Sequence, residues 1–164
     1  MMEQLSILNE NEKVYWIITN DKDPRAIALA DRHYSRKTPM SKKGFMGPGE
    51  QIVLISPDGT AIFGWLKAKP EFRGDKIDGV YCSIFRNEGS ELSSKLIREA
   101  EKFALQKWPN TKLFFTYVDP SKVRSKRPGW AFIKAGWKEG GTNKNGKLLL
   151  LTKEIKKGGS ENDK

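Results

Sequence analysis

The chain has little of what a metal centre, a disulfide framework or a membrane span requires. Its 164 residues include one cysteine, Cys82, and one histidine, His33. A lone cysteine excludes an internal disulfide, and one Cys with one His falls short of any zinc-type ligand set, so no metal site is expected. Long apolar runs are also missing, with nothing near the roughly 18 consecutive apolar residues of a membrane helix. The first 12 residues lack the basic-then-apolar order of a signal peptide. A soluble, cytoplasmic protein with no membrane partner is the expectation.

Acids are absent from two windows. Residues 32–49 hold Arg32, Arg36, Lys37, Lys42 and Lys43 with no Asp or Glu, and residues 120–138 hold Lys122, Arg124, Lys126, Arg127, Lys134 and Lys138, again with none. The formal charge of +10 therefore comes from these windows, the remainder being close to neutral. They fit either a polyanion site or two solvated basic loops. Eight Phe, five Trp and four Tyr can fill the core of one domain. The domain is placed at residues 13–155, with flexible ends at 1–12 and 156–164.

The hydrophobic pattern predicts a mixed α/β sheet of about six to seven strands with about three helices on its faces. Strands are expected at 14–19, 51–56, 61–67, 80–85, 113–118, 137–142 and 147–155. Asp23-Pro24 supplies an N-cap and a proline at the first helical position, starting a helix that runs on through Tyr34. Apolar residues at three- and four-residue spacing from Leu92 to Trp108 give a second helix, capped by Ser90 or Ser93 and stopped by Pro109. Residues 128–135 give a third, ended by Gly136. Phe63, Trp65, Trp108 and Cys82 read as core.

Several residues could carry chemistry. The loop Arg86-Asn87-Glu88-Gly89-Ser90 leads from a strand into the long helix, a place where free backbone N–H groups and the helix dipole suit a phosphate, and Arg86 could add a bidentate donor. Asp119 ends an apolar strand at its carboxyl edge, where open α/β sheets place ligands; it could take a proton from an attacking amine, or simply open a turn. His33 is a candidate base or a helix cap, and Tyr34 could stack on a nucleobase or donate a hydrogen bond. Trp130 follows a run of basic residues, a combination that fits phosphate contacts beside a stacking surface.

The order of elements, the R-x-x-G loop at Arg86–Gly89 and the ending WAFIKAGW at 130–137 resemble GNAT-type acyltransferases. FMGPGE, YCSIFRNEG, LSSKLI and TYVDPSKVRSKRPGWAFIKAGW resemble more closely a group of phage and bacterial proteins distantly similar to Mom-like phage enzymes that modify DNA adenine. This resemblance spans roughly residues 30–151. It implies a GNAT-like fold with acetyl-CoA or another acyl-CoA as cofactor. The pyrophosphate would sit on Arg86, Asn87, Gly89, Ser93 and Ser94, and the pantetheine arm between splayed strands near Ser83 and Phe85. It further implies catalysis by Asp119 with His33 and Tyr34, and nucleic acid, specifically DNA, as partner. The candidate nucleic-acid contacts come from the two acid-free windows and the ring beside them: Arg36, Lys37, Lys42, Lys43, Lys122, Arg124, Lys126, Arg127 and Trp130. A phage origin would place the protein in the host-cell cytoplasm.

Two departures stand out. Glu91 replaces the final small residue of the phosphate loop, with two residues inserted before Ser93-Ser94, and Phe132 stands where the last helix often has a tyrosine, leaving Tyr117 or Tyr34 to supply a phenol. Three activities fit this reading: N-acylation of an exocyclic amine in DNA, acetylation of a small amine or protein lysine, and non-catalytic nucleic-acid binding on the same fold.

Overall fold

The computed structural model describes residues 15–32, 44–121 and 129–156. Its seven strands form one sheet: β1 Ile17–Thr19, β2 Glu50–Ile55, β3 Ala61–Lys67, β4 Val80–Asn87, β5 Leu113–Val118, β6 Lys138–Thr142 and β7 Leu149–Glu154, in spatial order β1-β2-β3-β4-β5-β7-β6. Three described helices accompany it: α1 Pro24–Asp31, α2 Ser93–Lys107 and α3 Trp130–Lys134. This is the α/β architecture expected from the pattern.

Every sheet contact is antiparallel except β4 with β5. A parallel pair needs a crossover, and α2 supplies it. Strand alternation then sorts the apolar residues onto two covered faces. Leu54, Phe63, Trp65, Val80 and Phe114 pack with Leu96, Ile97 and Ala100 of α2 and Phe132 of α3. Val53, Ile55 and Ile62 pack with Ala26, Leu29 and Ala30 of α1.

The cap of α1 is the expected one, with the Asp23 carboxylate accepting from Arg25 N–H at 2.9 Å and Pro24 at the first turn. That of α2 is not: Leu92 occupies the N-cap position and no side chain caps it. Ser93 is instead the first helical residue, and its hydroxyl accepts from Asn87 Nδ2 at 3.0 Å. The polar stretch after β3 contains a short 3₁₀ turn, Pro70–Phe72, where only a loop was expected. Gly136 ends α3 as expected, in the left-handed region at φ 101°.

The indoles of four buried tryptophans act as tethers. Trp16 and Trp65 donate Nε1–H to the Leu96 and Ala100 carbonyls of α2, each at 2.9 Å, and Trp137 donates to the Glu101 carboxylate at 2.8 Å. Trp108, just past α2, donates to Glu50 at 2.9 Å. Segments on both sides of the parallel pair thereby tie α2 to the sheet. Among the described residues no helix is long and apolar enough to cross a membrane.

Candidate functional site

The sheet opens where β4 and β5 part. Their parallel pairing is confined to Val80↔Phe114 and Tyr81↔Phe115. On its other side β4 carries a bulge: Trp65 faces Cys82 and Gly64 faces Ile84, so Ser83 is the extra residue. A bulge bends and twists its strand. It also reverses which face each later residue of β4 presents. Val80 and Cys82 lie in the α2-side core, Ile84 in the α1-side core. The Thr116 hydroxyl donates to the Cys82 carbonyl at 2.8 Å, replacing the ladder bond that the departing strand gives up.

Cys82 itself is sealed. It is 2% exposed, and burial pushes its thiol well above the usual range. The thiolate is the reactive form. Native protein at pH 8 is therefore expected to resist iodoacetamide, and protein unfolded in urea to take up one label, as read by intact mass.

On the α2 side, Phe85 lies 6.0 Å from Phe132 and 5.3 Å from Phe63, ring centre to ring centre. The loop beyond it folds around Asn87, whose Nδ2 donates to the Glu91 carbonyl at 2.8 Å as well as to Ser93, and whose Oδ1 accepts from Gly89 N–H at 2.9 Å. Gly89 is required here: a Cβ would come within 2.3 Å of the Thr60 hydroxyl. Lys95 and Leu96 N–H both donate to the Leu92 carbonyl. The N–H groups of Ser93 and Ser94 precede these bonds and point out of the helix end with its positive dipole. Leu92, 62% exposed, sits beside them.

Arg86 has a different setting from the rest of that loop. Past the bulge its side chain lies on the α1 side. Its Nη1 donates to the Arg32 carbonyl at 2.9 Å, and its Nε pairs with Glu88. Arg32 grips the same carboxylate, Nε to Oε2 at 2.7 Å and Nη2 to Oε1 at 2.9 Å. The two guanidiniums, Arg32 first, hold Glu88 down to about 2. One acid from outside the basic window thus offsets part of its charge.

Also on the α1 side, Ser83 donates to the Met46 sulfur at 3.3 Å, and Met46 covers Gly64, where a Cβ would lie 2.7 Å from that sulfur. Across the gap, Tyr117 donates its phenol proton to Asp75 Oδ2 at 2.9 Å. Burial first, then the Asp75 carboxylate, pushes Tyr117 up to about 12. Two residues on, Asp119 Oδ1 accepts from Ser121 N–H at 3.0 Å and from its hydroxyl at 2.7 Å, the turn-forming arrangement. Asp119, Pro120, Ser121 and Lys147 border an open cavity of about 740 Å³. Trp130 begins α3, 38% exposed, with the Lys134 ammonium 5.8 Å from its ring centre.

Ser83, Phe85, Asn87, Gly89, Ser93 and Ser94 lie along β4 and the start of α2, while Tyr117 lies on β5 and Asp119 just past its end, at a cavity that none of the other six lines. His33, Tyr34, Arg36, Lys37, Lys42, Lys43, Lys122, Arg124, Lys126 and Arg127 lie outside the described residues. Arg73, Asp75 and Glu88 join the site without having been expected. Among the described residues no group of three or more His, Cys, Asp or Glu side chains is placed to hold a metal.

No family model matches the chain, and no curated protein matches it. Among solved structures it is similar to a crystal structure described as that of "a putative phosphinothricin N-acetyltransferase", at 16% identity and a TM-score of 0.49, over 87% of this chain and 99% of that one.

Proposed function

We propose that the protein is an acyl-CoA-dependent N-acyltransferase whose acceptor is an exocyclic amine of a DNA base. The observation that carries this reading is the early parting of β4 from β5, which leaves a gap with strand ends on both sides and an uncapped helix N-terminus at its mouth. An extended arm lying in the gap meets Ser83 and Phe85 on one side and Thr116 to Val118 on the other. A pyrophosphate meets the N–H groups of Ser93 and Ser94 and the loop held by Asn87. The donor fit is thus through backbone groups, with the Arg86 guanidinium turned to the other face.

Acyl-CoA supplies a thioester carbonyl: the amine nitrogen bonds to its carbon, the C–S bond breaks, and the proton lost by nitrogen ends on the CoA sulfur. Asp119 stands at the end of β5 to accept that proton or orient the amine. Phe132 has no hydroxyl to contribute. Trp130 with Lys134, together with the two acid-free windows, supports a nucleic-acid acceptor.

The test is mass spectrometry of nucleosides from DNA of cells that express either the wild type or Asp119→Ala. A mass-shifted nucleoside is expected in the first and its loss in the second; identical profiles overturn the proposal. Calorimetry with acetyl-CoA separates a second reading, favoured by Phe132, of a nucleic-acid-binding module without catalysis: salt-sensitive DNA binding with no acetyl-CoA binding would support that instead.

A further inference from the structure

The segment between β3 and β4 covers the α1 side of the gap and holds a carboxylate whose bonding is complete. Asp75 Oδ1 accepts from Arg73 Nε at 2.8 Å and from Ile77 N–H at 3.0 Å; Oδ2 accepts from Arg73 Nη2 at 2.7 Å and from the Tyr117 hydroxyl at 2.9 Å. A carboxylate has about four acceptor sites, and all four are taken. Arg73 is itself wedged against the sheet, its guanidinium carbon 4.8 Å from the Tyr81 ring centre and 4.7 Å from that of Phe115. The backbone is committed as well. Lys76 turns through φ 58°, the only positive φ among described non-glycine residues, which aims Ile77 N–H back at Asp75. Its ammonium donates to the Glu71 carbonyl at 3.2 Å.

This arrangement sets the direction of one proton. Asp75 is held down to about 2, with the Arg73 hydrogen bonds the leading cause, so it stays an acceptor. Tyr117 must give it the phenol proton. What remains for the gap is the phenol oxygen's lone pairs. Tyr117 stands two residues past the last β4–β5 pairing, beside the place where an acceptor would meet the donor.

We propose that Arg73 and Asp75 are positioning residues that fix Tyr117 as a hydrogen-bond acceptor at the gap, where it holds an incoming group by a proton that group presents, an N–H in the case of an amine. The inference rests on the acyltransferase reading for its substrate class, while the orientation of the phenol stands on geometry alone. Tyr117 then holds the amine by one N–H and takes no part in protonating the leaving sulfur. A phenol with a freely rotating proton would meet groups with or without a proton to give; this one favours groups that carry an N–H or O–H.

Two measurements test the two halves. In protein labelled with ¹³C at the tyrosine ring carbon bearing oxygen, the Tyr117 signal is identified by its loss in Tyr117→Phe. Asp75→Asn should bring its titration down towards the ordinary value near 10, and Arg73→Met, which removes the one charge that lowers it, should not. A Tyr117 titration unchanged in Asp75→Asn overturns the positioning role. With acetyl-CoA and a single-stranded adenine-containing oligonucleotide, Tyr117→Phe should raise the oligonucleotide KM about three- to tenfold, the worth of one hydrogen bond, with kcat within about threefold. A kcat loss of about a hundredfold or more, the size expected of a proton donor, overturns it. Absence of transfer by the wild type counts against the proposed function, and the titration still decides the orientation of Tyr117.

Discussion

Trp65→Ala should lower the unfolding free energy by about 3–5 kcal/mol, the range for removing a large aromatic side chain from a packed core. Trp65 has no exposed surface, and its ring lies 4.6 Å from Phe63 and 4.7 Å from Phe114 between ring centres. Two effects are lost together: ring burial and the Nε1–H bond to the Ala100 carbonyl. The bond is worth about 1 kcal/mol net, so volume should dominate. Trp65→Phe keeps most of the ring and drops the bond, and should cost clearly less than alanine in urea unfolding. Equal losses in the two variants would show that the tether outweighs packing. The functional consequence follows from position, because Trp65 and Trp16 set the height of α2 against the sheet and with it the N–H groups of Ser93 and Ser94. Trp65→Ala should therefore weaken acetyl-CoA binding at temperatures where it is still folded.

The frame of this molecule was legible in the sequence because it depends on local pattern. The turn residues Pro57 to Thr60 mark the start of β3, a continuous apolar run marks β5, both at their observed bounds, and Asp23-Pro24 marks the start of α1. What could not be read depends on contacts between distant segments. Residues 80–85 alternate evenly, so nothing in them announces the bulge at Ser83. Yet that bulge sends Arg86 to the α1 side, away from the phosphate loop to which its spacing assigns it. A serine cap was the natural expectation for α2, but the helix starts at Ser93 with Leu92 before it, and the Ser93 hydroxyl turns to Asn87. Arg73-Gly74-Asp75 reads as an ordinary polar loop until Tyr117 is known to face it. The charge windows were visible as composition, whereas the pairing of Arg32 and Arg86 with one glutamate was not.

Lys153→Met is expected to be the most pH-dependent lesion in the protein. Lys153 Nζ donates to Glu101 Oε1 at 2.7 Å and to the Ala135 carbonyl at 3.0 Å, while Trp137 Nε1 donates to Glu101 Oε2 at 2.8 Å. The cluster ties α2 to β7 and to the end of α3, and so joins the helix that opens the donor site to the strand beside β5. Glu101 is 7% exposed, and burial raises its carboxyl above 4.5 against the opposing pull of Lys153 and Trp137. A raised carboxyl binds its proton more tightly folded than unfolded. Its favourable contribution is therefore complete below about pH 4.5, the unfolded value, and is lost as pH rises through the folded value. Removing the ammonium raises the folded value further and widens that window. At pH 8 the variant should lose about 2–3 kcal/mol, somewhat less than the roughly 3–5 kcal/mol for stripping one partner from a fully buried pair, because Lys153 is partly exposed. At pH 5 the loss should shrink as Glu101 takes up a proton. Glu101→Gln in the Lys153→Met background should restore most of the stability at pH 8, since the amide oxygen still accepts from Trp137 and no buried charge remains. Thermal unfolding of the single and double variants at both pH values measures this. A Lys153→Met loss that is the same at pH 5 and pH 8, and that glutamine fails to relieve, would mean that packing by the lysine stem, rather than the buried carboxylate, holds this junction together.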